Sequence, residues 1–176
     1  MNQRIEQPKH PIITLAPSEI LMAAQVGLMR QVQNLKRRVH EKYGAHPSQD
    51  WQLNIEGALG EYALAKYLGL HWGGCGDYDS PDVGGIFDCR TSWRADAPLR
   101  LHEKDPDDRA FFLLTGVNGV YTVRGWMYAR DGKKEGFWSD PTGKNRPAFF
   151  VPQHLLHQGI PPAPPEKIHI TEEKKG

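Results

Sequence analysis

Two carboxylates stand at a spacing that could hold a divalent cation, with a guanidinium close by. In "SPDVGGIFDCRTSW", residues 80–93, Asp82 and Asp88 flank Gly84 and Gly85, and Arg90 comes two positions after the second Asp. In "IEGALGEYALAKYLG", residues 55–69, Glu61 sits among small and apolar residues. Carboxylate oxygens suit a hard cation such as Mg2+ or Mn2+, which keeps several waters in its shell. A water bound to such an ion is more acidic and can serve as a nucleophile. A strand with one face in water would carry alternating polar residues without any such role.

The backbone has to bring these groups together. Asp88 and Arg90 are two apart, so they share one face of a strand. A two-residue turn at Gly84-Gly85 would pair Asp82 with Phe87 and send its side chain to the other side. A three-residue turn through Gly84, Gly85 and Ile86, with a glycine at positive φ, would set Asp82 opposite Asp88. The sequence allows both.

Glu61 is read from helical periodicity. It shares a face with Gly57, Ala58, Leu64, Ala65 and Leu68, the small apolar side expected to lie on a sheet. A carboxylate buried there needs a cation, an arginine or a cluster of donors. Glu56 falls beside Gly60, Ala63 and Tyr67 and reads as a boundary residue.

Around these motifs the chain reads as one α+β domain over residues 18–160. Residues 1–17, broken by Pro8, Pro11 and Pro17, read as an arm. Ser18 is a candidate N-cap for a helix to about Tyr43, with Gly44 as its stop. Leu21, Ala24, Leu28, Val32, Leu35 and Val39 form its apolar stripe, with Arg30 and Arg37 opposite. A second helix runs from about Trp51 to Leu68 and stops at Gly69. Then come the β-like pieces "GIFDCRTSW", "LRLHE", "AFFLLTGV" and "VYTVRGWMYAR", the last two joined by Asn118-Gly119. "DGKKEGFWSDPTGKNRP" reads as a long loop and "AFFVPQHLLHQG" as a strand turning into a short helix. Residues 161–176 read as a proline-rich linker and charged tail. The expected fold is a mixed or mostly antiparallel sheet flanked by two N-terminal helices.

The 176 residues include 22 Lys and Arg against 21 Asp and Glu, so any nucleic-acid surface must be local. Arg30, Lys36, Arg37, Arg38 and Lys42 form a basic stretch, while residues 77–108 are acid-rich. This asymmetry suits an anionic partner held beside a cation centre, and equally two solvated faces. Cys75 and Cys89 are the only cysteines, and no disulfide scaffold is expected. Neither a signal peptide nor a membrane-spanning run is read, which points to the cytoplasm. Cys89 alternates with Asp88 and Arg90 and should face the core. His154 and His157 lack a third ligand nearby and read as structural. Trp93, Trp126 and Trp138 could stack on bases, Trp138 being the best placed and Trp126 reading as core. Lys133 and Lys134 read as a solvated loop tip.

The order of helix Glu, hairpin Asp and acid-x-base strand resembles the PD-(D/E)XK nuclease superfamily, in particular small phage-encoded members. The resemblance rests on "GALGEYALAKYLG" and "PDVGGIFDCRTS" and covers about residues 51–130. It implies a restriction-endonuclease-like core, with Glu61, Asp82 and Asp88 as ligands of Mg2+ (or Mn2+) that hydrolyses DNA in a bacterial host. Arg90 stands where the superfamily has a lysine; Lys66 is a possible stand-in. The gap between the two acids is short, and only "KDPDDRA" replaces the helix usual between the third and fourth core strands. Arg30, Lys36, Arg37, Arg38 and Trp138 are the expected DNA contacts. Two alternatives stand beside it: a pseudonuclease that binds nucleic acid or a host or phage protein without cutting, and a structural or host-interaction protein whose acids pair with Arg90 and Arg94.

Overall fold

The computed structural model describes residues 10–37, 49–74 and 80–162. Strand β1 (Ile12–Thr14) lies in the segment read as an arm, and it pairs antiparallel with a later strand at Val120–Thr122. Helix α1 spans Pro17–Lys36 and is capped at Ala16 rather than Ser18. Pro17 occupies the first turn, where a missing N–H costs nothing. Glu19 reaches back and accepts the Ala16 N–H at 2.6 Å. The expected continuation to Tyr43 and Gly44 lies outside the described residues. Helix α2 spans Asp50–Leu68 and ends, as expected, at a left-handed Gly69.

The strand pairing is mixed and mostly antiparallel, as expected, with one parallel pair. Strands β2 (Phe87–Ser92), β3 (Leu99–Leu101), β4 (Ala110–Val117) and β5 (Val120–Tyr128) follow α2. The four-stranded sheet has the order β1-β5-β4-β2, and β2 runs parallel to β4. Strand β3 leaves that sheet for a second one, where it pairs with β7 (Ala148–Val151), itself paired with the short β6 (Trp138–Ser139). The segment read as one loop before β7 holds β6 and a 3-10 turn at Glu135–Phe137, and a helical turn, α3 (Ala129–Gly132), straddles its start. The Asn118-Gly119 turn joins β4 to β5 with both residues at positive φ, as its sequence requires.

Strand β4 is buried on both faces, and two cores result. Ala110, Phe112 and Leu114 face Leu59, Ala63 and Leu64 of α2, while Phe111 and Leu113 face Leu99, Leu101 and Val151 of the second sheet. Such a strand needs the unbroken apolar run "AFFLL" instead of alternation.

Helix α1 turns out opposite to its apolar stripe. Its buried residues are Ala23, Gly27, Gln31 and Asn34, and these face α2, whereas Leu21, Leu28, Val32 and Leu35 are exposed. Close helix approach explains the choice. A Cβ on Gly27 would stand 2.5 Å from Ile55 Cα and 2.7 Å from Asn54 O. Gln31 adds a hydrogen bond from Asn54 Nδ2 at 2.8 Å. At the next layer a Cβ on Gly60 would meet Thr91 Oγ1 at 2.1 Å, so α2 lies directly on β2. These two glycines bring α1, α2 and the acid hairpin within reach of one another.

Gly27→Ala is therefore expected to push α1 off α2, at the roughly 1–3 kcal/mol typical of overpacking. Differential scanning calorimetry should show a melting temperature lower by about 2–10 °C. Gly57→Ala is the control: nothing lies within 4 Å of its Cβ position, so the better helix former should hold or raise the melting temperature.

Candidate functional site

The hairpin takes the three-residue form. Val83 and Phe87 exchange both backbone hydrogen bonds, at 2.9 and 3.1 Å, and Gly84 and Gly85 both have positive φ. The next pair outward is therefore Asp82 and Asp88, in the register that brings side chains closest. Each carboxylate is held by the opposite strand. Asp88 Oδ1 accepts the Asp82 N–H at 3.2 Å, and Asp82 Oδ2 accepts the Cys89 N–H at 2.8 Å.

Glu61 is buried, and an arginine compensates it. Arg30 donates from Nη1 to Oε1 at 2.6 Å and from Nη2 to Oε2 at 2.8 Å, and Trp72 Nε1 donates to Oε2 at 3.0 Å. Arg30 also reaches Gly74 O at 3.3 Å. Placed on the inner face of α1, it is a counter-ion of Glu61 instead of an outward phosphate contact. Asp88 has its own arginine: Arg109 Nη1 lies 3.1 Å from Oδ2. Arg109 was not singled out from the sequence. It precedes Ala110, which pairs with Phe87 only because β2 and β4 are parallel, and an antiparallel reading gave no reason to look there.

Arg90 turns to a different acid. Its Nη2 lies 3.0 and 3.1 Å from the two oxygens of Asp105, and its guanidinium covers the Phe111 ring at 4.8 Å. Asp105 Oδ2 also accepts the His102 N–H at 2.8 Å. Burial, aided by the nearby Arg90 charge, depresses the His102 imidazole to about 4, so this corner is ion-paired without a protonated histidine at neutral pH.

The acids nonetheless act on one another. Burial first, then the charges of Glu61 and Asp88, push Asp82 up to about 7. Burial also raises Asp88, against the opposing pull of Arg109. Asp82 lines a cleft of about 320 Å³ together with Arg30, His71, Gly74 and Ser80. Among the described residues, no three His, Cys, Asp or Glu side chains are arranged around one common metal position. Within this neighbourhood Glu61 and Asp88 each have an arginine, and Asp82 has no ion pair of that kind.

The remaining sequence-derived residues are dispersed. Lys66 Nζ bonds Glu19 at 2.7 Å and Thr14 O at 3.1 Å, on the side of α2 near β1, so it does not stand in for the missing lysine. Glu56 ties α2 to the β4–β5 turn by accepting from Tyr121 Oη and the Asn118 N–H. Lys36 and Arg37 are exposed at the end of α1. Arg38 lies outside the described residues. Trp138 packs against Phe149 with ring centroids 4.7 Å apart and the rings tilted by 56°, far along the chain in the second sheet. Trp126 is buried, as expected, and packs against the His157 ring. Cys89 is buried, and Arg94 pairs with Asp96. Lys133 clamps Asp107 and the Glu103 carbonyl, so it is no solvated tip. No helix of the described residues is long and apolar enough to cross a membrane. Comparison with protein-family models, curated proteins and solved structures gives no match.

A carboxyl with a folded pKa of about 7 against an ordinary 3.8 gives a signed expectation. Between those values only the folded state holds the proton, so Asp82 contributes stability below pH 4 that is lost as the pH rises through 7. Asp82→Asn is expected to raise the melting temperature at pH 8 and to flatten its fall between pH 5 and 8. A variant as pH-sensitive as the parent would remove Asp82 as the cause.

Proposed function

We propose that Asp82 and Asp88, beside Glu61, form the cation-binding centre of a small nuclease-like protein of restriction-endonuclease type, acting on DNA phosphodiesters with Mg2+ or Mn2+. The observation that carries this reading is Asp82. It sits opposite Asp88, beside Glu61, at the rim of a cleft, with its ionisation opposed by both. Three acids gathered where their repulsion is unfavourable are stabilised by a cation or by protons, and an oxygen-only donor set suits a hard divalent ion. Asp82 and Asp88 would hold it. When bound, the ion would supply phosphate charge neutralisation and a more acidic water.

The residues of the chain take complementary parts. Arg30 borders the cleft and Arg109 adjoins Asp88, so both are near where a phosphate would lie. A cation that took over neutralisation of the acids would free these guanidiniums for phosphate oxygens, with the planar fork that such contacts favour. Arg90, unable to lose a proton, orients water or phosphate instead of acting as a base. The packing of α2 on the acid-bearing strand, and the parallel partner of that strand, support a core of the restriction-endonuclease kind. A reducing cytoplasm, bacterial if the protein is phage-encoded, belongs to the same reading.

A second reading has its own observation. Both Glu61 and Asp88 already have an arginine, and Arg90 is spent on Asp105. A pseudonuclease that keeps the fold and binds nucleic acid or protein without cutting would look the same at rest.

The test compares the parent with Asp82→Asn. Mg2+ or Mn2+ is expected to raise the parent melting temperature and to support cleavage of plasmid or single-stranded DNA. Asp82→Asn should be at least as stable without metal, lose the metal shift, and cleave at background. DNA binding without cleavage would favour the pseudonuclease. Neither a metal shift nor DNA binding would leave the acids as structural ion pairs.

A further inference from the structure

The outward face of α1 is explained neither by the core nor by the acid cleft. Leu21, Met22, Leu28, Met29, Val32 and Leu35 lie on it with exposures of 42% to 61%. At about half exposure each, they leave roughly 500–600 Å² of apolar surface in one stripe, as large as the biggest patch on an ordinary monomer. Between Leu21 and Leu35 the one charged side chain is Arg30, and it points inward to Glu61. An anionic partner such as nucleic acid would find no cation along this length.

The spacing says what kind of partner fits. Residues 21, 25, 28, 32 and 35 alternate in steps of four and three, the seam of a two-stranded helix pair. Leucine occupies one set of positions, at 21, 28 and 35. The other set holds Gln25, which is exposed, and the β-branched Val32. Leucine alternating with a β-branched residue favours two strands, and a single polar seam residue fixes register by meeting its own symmetry mate.

We infer that this face is a two-fold interface between two copies of the chain, paired α1 against α1. A second copy offers the same 3-4 spacing, the same length and the same uncharged stripe. Two copies would bury at most about 1,100 Å² in all, which clears the roughly 1,000 Å² floor for a biological interface. A seam of this length would be marginal as a free helix, but α1 is already held in place by α2 through Gly27, so little ordering is lost on pairing. The proposal is independent of the reading of the acid cleft.

Sedimentation velocity on the full chain between about 1 and 100 µM tests it, with concentration-dependent melting as a second readout. The expected result is a mass twice that of the chain at the upper end, dissociating on dilution. Leu28→Glu and Val32→Glu should each give a monomer with the parent circular dichroism spectrum. A parent that stays monomeric at about 100 µM overturns the proposal, whether the face is then covered by the chain's own terminal residues or by another protein. A dimer that survives both substitutions overturns it as well, because the interface then lies elsewhere. The measurement on the parent stands alone if a variant fails to fold.

Discussion

A carboxylate at the junction of two helices and a sheet is stable only with a counter-charge within reach, and the Arg30–Glu61 pair meets that need. Its demands run through the rest of the molecule. Arg30 reaches Glu61 only if α1 lies against α2 backbone to backbone, which Gly27 permits. Helix α2 must in turn rest on β2, which Gly60 permits, so Glu61 comes to stand beside the Asp82–Asp88 hairpin. The inward face of α1 is thereby committed to small and polar residues, Ala23, Gly27, Arg30, Gln31 and Asn34. Its leucines are left outside. One ion pair thus links the acid neighbourhood to the exposed stripe on the opposite side of the same helix.

Charge around the hairpin does not balance evenly. Arg30 serves Glu61 and Arg109 serves Asp88, while Asp82 has a backbone N–H and the pull of the Arg90 charge against burial and two like charges. A fold selected for stability alone would gain from an amide at that position. Keeping a carboxylate on the cleft, where it is opposed, is the pattern of a site that binds a cation or moves a proton. That argument gives Asp82 more weight than Asp88, although the two are symmetric in the motif.

Much of this was legible in the sequence, and the failures have physical causes. Helix α2 and its glycine stop, the Asn118-Gly119 hairpin and the buried Trp126 follow from local periodicity and turn chemistry. The need for a partner at Glu61 was legible too, though not that Arg30 would supply it, because periodicity sets Arg30 on the side opposite the apolar stripe of α1. Hydrophobic periodicity assumes that the apolar side is the buried side, and α1 breaks that assumption through glycine-mediated packing. Arg109 stayed hidden because parallel pairing of β2 and β4 leaves no local signal. Arg90 was placed on the right strand and face, but its pairing with Asp105 depends on a connection that passes through a second sheet.

Crystals of the full chain grown with Mn2+ would test the central claim most directly, since anomalous scattering locates the ion without reference to activity. The expected result is one strong peak within ligand distance of Asp82 and Asp88. Fully ordered acids with no peak at millimolar Mn2+, and with Arg30 and Arg109 still on Glu61 and Asp88, would contradict the account and leave the hairpin a structural ion-pair network.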